Sequence, residues 1–207
     1  VSLEGAQFRC AGSTEFVAQL DRVLGLAAAT GSPLGESHFP IEMTDSPAQL
    51  ESRLRAHSAG GHTVRLLASY AREWKTKGVK APHGLVAEAK DFCIPIVHEG
   101  APTYWAKVWN YAPDQDYTLF VQAPQHSAMH ADPLCEVGCP YVVRGFDWDY
   151  VGVLWLNDLV WRTNRWVANI AHVKETAWNK TMAAAKKEHK KAEYGDAMHR
   201  LQDRIAR

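Results

Sequence analysis

No stretch of these 207 residues is long and apolar enough to span a bilayer, which takes about 20 consecutive apolar residues. The N-terminus also lacks the basic-then-apolar pattern of a secretory leader. Four cysteines (Cys10, Cys93, Cys135, Cys139) are too few to staple a chain of this size, so a reducing cytoplasm is the expected compartment. Lys plus Arg and Asp plus Glu both number 23, giving a net charge of zero and no global field for steering onto DNA or RNA. Any nucleic-acid surface must therefore be a local patch. There is no G-x-x-x-x-G-K-[ST] loop to cradle a triphosphate, and no Asp-Glu pair after an apolar strand to hold magnesium. A G-x-S-x-G elbow is missing, as is a cysteine with a clearly placed histidine partner, so nothing supports nucleophilic catalysis. Internal repeats and low-complexity tracts are absent too.

What remains is the composition of an ordinary soluble globular protein, 46% hydrophobic and 22% charged, long enough for one large domain or two small ones. Ser13 caps a predicted helix with Phe16, Leu20, Val23 and Leu24 on one face. Gly25 and the stretch to Gly35, with Pro33, then read as a helix end and a loop. Ser46-Pro47 opens a second helix, carrying Leu50 and Leu54 and ending near Gly60-Gly61. Thr63–Tyr70 reads as a short strand buried on both faces. Residues 75–115 read as loops and short elements over a sheet edge. Strands are predicted at Asp116–Gln122, Cys135–Val143 and Tyr150–Leu156, and helix from about Lys174 to Arg207. Helices early and strands later favour a mixed α/β sheet over a bundle or sandwich.

The most informative segment is Glu136-Val137-Gly138-Cys139-Pro140-Tyr141-Val142-Val143-Arg144-Gly145-Phe146-Asp147-Trp148-Asp149-Tyr150-Val151-Gly152-Val153. An apolar stretch meets a charged, glycine-centred turn and passes straight into a second β-rich run. Arg, Gly and two acids between buried strands are costly unless something polar binds there. This segment resembles motif V of superfamily-one helicases, and is most similar to a bacterial DNA/RNA helicase family related to the helicase core of group III Schlafen proteins. Three more landmarks follow the family's order: Gln7-Phe8-Arg9-Cys10-Ala11-Gly12-Ser13, then Arg65-Leu66-Leu67-Ala68-Ser69-Tyr70 with Trp74, then Asn157-Asp158-Leu159-Val160-Trp161-Arg162. Together they cover nearly the whole chain.

The resemblance implies a RecA-like, mostly parallel sheet flanked by helices, with a C-terminal helix. It implies one domain over residues 1–207, the second RecA-like lobe, with 175–207 as a basic helical extension and motif VI beyond the end. The function implied is that of a second motor lobe in a DNA/RNA helicase or nucleic-acid-dependent ATPase, lending motif V to an interdomain ATP cleft. ATP and Mg2+ would be bound mostly by a first lobe of the same polypeptide, and this chain alone is not expected to hydrolyse ATP. Arg144, Gly145 and Asp147 are the implied nucleotide contacts: a cation, a glycine that lets the backbone approach a phosphate, and a carboxylate one methylene shorter than the family's Glu. Tyr141 stands where the family's histidine contacts nucleic acid, and a phenol can donate to a phosphate or stack on a base. Trp148, Tyr150 and Val151 are expected in the core, and Asp149 in a helix cap or salt bridge. The alternative is a non-catalytic protein- or nucleic-acid-binding module with a degenerate helicase fold, which the departures at Tyr141, Arg144 and Asp147 fit as well.

Weaker signals compete. His126-x3-His130-x4-Cys135-x3-Cys139 has two His and two Cys but not the C-x2-4-C knuckle of a structural zinc site. Cys139 is expected to pack as a small hydrophobe, with His126 and His130 in a surface loop, and no metal site is assigned. Of the eight tryptophans, Trp148, Trp155 and Trp166 read as core, and Trp74, Trp105 and Trp109 as the candidates for exposure. In the C-terminal helix, Lys186, Lys187, Lys190 and Lys191 lie among interleaved acids, which suits a solvated face. Lys186, Lys187 and Lys190 are nonetheless the expected phosphate-binding surface.

Overall fold

The structure, a computed structural model, describes residues 14–25, 40–111, 125–141, 146–187 and 195. Its elements, in chain order, are α1 (Thr14–Val23), α2 (Pro47–Ala59), β1 (Val64–Ala68), β2 (Phe92–His98), β3 (Ala101–Trp109), α3 (Ala128–Ala131), β4 (Glu136–Val137), β5 (Tyr150–Leu154), β6 (Leu159–Arg162), β7 (Arg165–Ala168) and α4 (Thr176–Lys187). The chain divides into two compact units: Thr44–Asp158 with Ala171–Thr176, and Val1–Met43 with Leu159–Ile170 and Ala177–Arg207.

In the larger unit, α2 starts where its sequence says it should. The Ser46 hydroxyl accepts the Gln49 amide at 3.1 Å, and Pro47 fills a first-turn position whose N–H would go unbonded anyway. Its last turn closes on Gly60, whose amide reaches the Ala56 and His57 carbonyls. β1 is buried almost throughout and pairs in parallel with β5, Leu66 opposite Gly152. α2 rests on this pair. A Cβ built on Gly152 would stand 2.8 Å from Leu54 Cδ1 and 3.1 Å from Leu50 Cδ1, so the glycine is what lets the helix come this close.

β2 and β3 form an antiparallel hairpin that turns at Glu99-Gly100, both at positive φ as a tight two-residue turn requires. β3 then pairs in parallel with β4, Val108 opposite Glu136. Just past β4, Gly138 bridges in parallel to Leu67, donating to the Leu66 carbonyl at 2.8 Å and accepting from Ala68 at 2.9 Å. The strands thus run in the order β2-β3-β4-β1-β5, parallel from β3 onward, with one antiparallel edge. The fold is mixed α/β, with parallel and antiparallel pairing and four α-helices among the described residues.

Side chains alternate across a strand, so α2 covers the face of Leu66, Gly152 and Leu154. The opposite face carries Arg65, Leu67, Val151 and Val153. There Arg65 and Glu136 form an ion pair with side chains 1% and 0% exposed. The other Glu136 oxygen accepts the Tyr111 amide at 2.6 Å, and the Arg65 guanidinium lies 6.0 Å from the Trp148 ring. Burial pushes the Glu136 carboxyl up, against the pull of Arg65. A buried pair of this kind fixes register better than it stabilises.

Several expectations need correcting. Residues 75–115 are not loops over an edge but contain β2 and β3. The Cys135–Val143 strand is only Glu136–Val137 plus the Gly138 bridge. Trp105 and Trp109 are buried in the core, because β3 is held between β2 and β4. Tyr150, Val151 and Trp155 are exposed, not core; Tyr150, on the α2 face, stacks on His57 at 3.5 Å. Trp148 is half-buried. Asp116–Gln122 lies outside the described residues.

The second unit has α1, the β6–β7 hairpin and all but the first residue of α4. The hairpin turns at Thr163-Asn164, both at positive φ, and pairs Trp161 with Trp166 in edge-to-face contact at 5.2 Å. Among the described residues, no helix is long and apolar enough to cross a membrane.

Candidate functional site

In open α/β sheets the carboxyl ends of parallel strands are where ligands bind. Here the ends of β1, β3 and β4 deliver Tyr70, Asn110 and Cys139–Tyr141. The Asn110 amide donates to Val137 O at 2.8 Å with φ of 51°, a left-handed backbone that asparagine tolerates. Its side-chain oxygen accepts the Cys139 thiol at 3.2 Å, and the Tyr70 hydroxyl donates to the same sulfur at 3.4 Å. Cys139 is thereby buried and committed to the fold, as its strand position suggested.

From this base a series of rings rises to the surface. Tyr141 meets Tyr70 at 5.7 Å, Tyr70 meets Trp109 at 4.7 Å, and Trp109 meets Trp74 at 5.9 Å, all edge-to-face. Tyr141 is 38% exposed, and its hydroxyl donates to Glu175 at 3.1 Å. Partial burial pushes the Glu175 carboxyl up. The Lys174 amide bonds the Tyr70 carbonyl at 2.7 Å, and the Lys174 side chain is exposed.

Trp74 opens the segment Trp74-Lys75-Thr76-Lys77-Gly78-Val79-Lys80, which is anchored from below. Buried Asp91 accepts the Thr76 amide at 3.1 Å, the Thr76 hydroxyl at 2.5 Å and the Trp109 amide at 2.8 Å. Arg72 donates to the Asp91 carbonyl and lies 3.6 Å from the Phe92 ring. Burial holds its guanidinium below its ordinary value. At the far end the Tyr111 hydroxyl meets the Lys80 carbonyl at 3.5 Å. Lys75, Lys77 and Lys80 are exposed, with the Lys77 ammonium 5.5 Å from the Trp74 ring. The Nε1 donors of Trp74 and Trp109 are buried without a hydrogen-bond partner.

The charged segment after β4 divides. Arg144 and Gly145 lie outside the described residues, as does Lys190. Asp147 is exposed, as is Phe146 before it. Asp149 turns the other way. Its carboxylate accepts the Thr63 amide at 2.8 Å and hydroxyl at 2.9 Å, and its own amide returns a bond to Thr63 Oγ1 at 2.9 Å. Asp149 thus ties together the starts of two strands and caps no helix, with His62 Nδ1 3.8 Å from its carboxylate, and those two Thr63 donors hold its carboxyl below the usual range. Asp147 and Asp149 therefore do not act as a pair. Lys186 and Lys187 are exposed near the end of α4, in the other unit. The structure brings Tyr141 together with Tyr70, Trp74 and the 75–80 lysines. Sequence reading missed this grouping, though a tryptophan interleaved with lysines was a signal for it.

His126, His130, Cys135 and Cys139 do not converge. The Cys135 thiol meets Met129 Sδ at 3.3 Å, and Cys139 faces Asn110. Among the described residues no group of three or more His, Cys, Asp or Glu is arranged to hold a metal ion.

The mixed sheet thus carries aromatic and basic groups at the carboxyl ends of its parallel strands, the end at which open α/β sheets bind ligands. The family model described as Schlafen group 3, DNA/RNA helicase domain matches residues 3–205. The chain belongs to that family, and its function is helicase-like and nucleic-acid-directed in general terms. No curated protein and no solved structure matches the chain.

Proposed function

We propose that this chain is the second RecA-like lobe of a cytoplasmic, superfamily-one-type DNA/RNA helicase or nucleic-acid-dependent ATPase. The observation that carries the reading is the exit of the motif V-like segment at Tyr141, from the carboxyl end of a parallel strand (Gly138 beside Leu67) in a chain of the Schlafen group 3 helicase family. In this reading Tyr141 meets the nucleic acid, while Arg144, Gly145 and Asp147 face a nucleotide held mainly by a first lobe of the same polypeptide. Lys186, Lys187 and Lys190 would add a second phosphate contact. The described residues do not by themselves fit a magnesium–nucleotide: Asp147 is exposed, and among these residues no acidic cluster could hold the ion. In this reading ATP and Mg2+ belong to the full-length protein, and no chemical step is assigned to this lobe.

The test is nucleic-acid-stimulated ATP turnover in the full-length protein. Asp147→Ala is expected to lower turnover while leaving the melting temperature almost unchanged, because the side chain is exposed. Unchanged turnover in that variant removes Asp147 from the site. A full-length protein with no turnover but intact nucleic-acid binding favours the second reading, a non-catalytic binding module on a degenerate helicase fold. The exposed aromatic and lysine surface serves either.

A further inference from the structure

We infer that Glu175 is an autoinhibitory gate on Tyr141, occupying the phenol's one donor until a phosphate displaces it, an inference that rests on the nucleic-acid reading of Tyr141 above. Glu175 belongs to none of the motif-like landmarks of the sequence.

The contact is built from two sides. Tyr141 leaves the carboxyl end of the sheet 38% exposed, its ring edge-on to Tyr70 at 5.7 Å. Its hydroxyl donates to Glu175 Oε1 at 3.1 Å. Glu175 is carried there by Ala171–Thr176, a segment of the same compact unit as the sheet. The Lys174 amide donates to the Tyr70 carbonyl at 2.7 Å, and Val173 is buried. Two adjacent anchors thus set the carboxylate on the phenol, and the next residue, Thr176, begins α4.

To a phenol, a carboxylate oxygen and a phosphate oxygen are the same kind of group, an anionic acceptor. Tyr141 has one proton to give, so the two compete for it. Glu175 also sets a negative charge where the ligand would bring another, in a half-buried place that salt screens less than open water. Burial pushes its carboxyl up, the mark of a charge short of water. The Lys174 ammonium is turned back onto the Ala171 carbonyl at 3.2 Å, within the same segment. The Tyr141–Glu175 bond joins two side chains at the surface, where water can replace either partner, so it opens at little cost to the fold. Val173 and the Lys174 amide hold the segment in place when it does. The gate is closed at rest and opens to a ligand that supplies its own acceptor.

The experiment is fluorescence anisotropy of the full-length protein with labelled oligothymidylate and oligouridylate, comparing wild type, Glu175→Gln, Tyr141→Phe and the double variant. Glutamine keeps the shape and an acceptor oxygen but not the charge. Glu175→Gln is expected to bind about 5- to 10-fold tighter at low salt, from one like charge removed beside a phosphate. The gain should shrink as salt is added. In the Tyr141→Phe background the same change should gain about 2-fold or less, because the latch is already open. Oligonucleotide should also raise amide hydrogen exchange across 171–176 in the wild type. Unchanged or weaker binding by folded Glu175→Gln overturns the gate and leaves the helicase reading intact. An equal gain in the Tyr141→Phe background overturns it too, reducing Glu175 to a repelling charge. Exchange at 171–176 that ignores the oligonucleotide does the same. Binding by neither wild type nor Glu175→Gln sinks the nucleic-acid reading itself. Circular dichroism melts confirm that each variant is folded. Should Glu175→Gln fold poorly, Tyr141→Phe is expected to loosen 171–176 without ligand, and unchanged exchange there overturns the gate.

Discussion

The two ends of β1 are built for opposite purposes. At its start, Thr63 and Asp149 exchange hydrogen bonds, and His57 stacks on Tyr150 at 3.5 Å with His62 edge-on at 5.2 Å. At its finish, Tyr141 and the 75–80 lysines are exposed, two indole donors go unpaired and Glu175 accepts the Tyr141 hydroxyl. The first end closes the sheet; the second leaves chemistry unspent. Both flank one motif-like segment, so the same stretch of sequence supplies a clasp at Asp149 and an exposed ring at Tyr141.

The comparison can be broken most forcefully at its midpoint. Arg65→Ala leaves Glu136 buried without its partner, and the expected cost is about 3–5 kcal/mol by urea denaturation. Because burial already pushes the Glu136 carboxyl up, the folded variant prefers that group protonated. Its stability should therefore fall as pH rises from 5 to 8, more steeply than in the parent protein. A flat profile would mean that water reaches Glu136 once Arg65 is gone.

A smaller change sharpens the binding end alone. Thr76→Val keeps the shape but removes the hydroxyl bonded to Asp91, for an expected loss of about 1–2 kcal/mol. Hydrogen exchange should rise along 75–80 and stay unchanged at Thr63. Equal loosening at both ends would show that they are one cooperative unit and not two devices.

The smallest effect is expected at the clasp. Asp149→Asn keeps one acceptor but loses the charge. Since Thr63 holds the Asp149 carboxyl low, its stabilising contribution is present at neutral pH and disappears as pH falls through that lowered value. The variant and the parent should thus converge in melting temperature in acid and separate modestly at pH 7. Separation that persists in acid would assign the effect to shape and not to charge.

Much of this was legible beforehand where the cause is local. Ser46-Pro47 and Gly60-Gly61 set the limits of α2 through a cap, a first-turn proline and a glycine stop. β1 showed itself as a short apolar run. The β2–β3 hairpin was not legible, because Pro95 and Pro102 interrupt its pattern. Proline is tolerated at both places: Pro95 lies on β2, which has no second neighbour among the described residues, Pro102 lies in β3 ahead of its pairing with β4, and both are exposed. Trp105 and Trp109 were misjudged for a related reason: their burial comes from strands distant in sequence.

The chain by itself determined the family, the positions of its caps and turns, and the residue types available for chemistry, since each depends on neighbours a few positions away. Which tryptophans are hidden, which acid closes the sheet and which lysines stand beside exposed rings were decided only when β4 slid between β3 and β1. That pairing sets residues dozens of positions apart side by side, and only its geometry says whether a polar group is spent on the fold or left for a ligand.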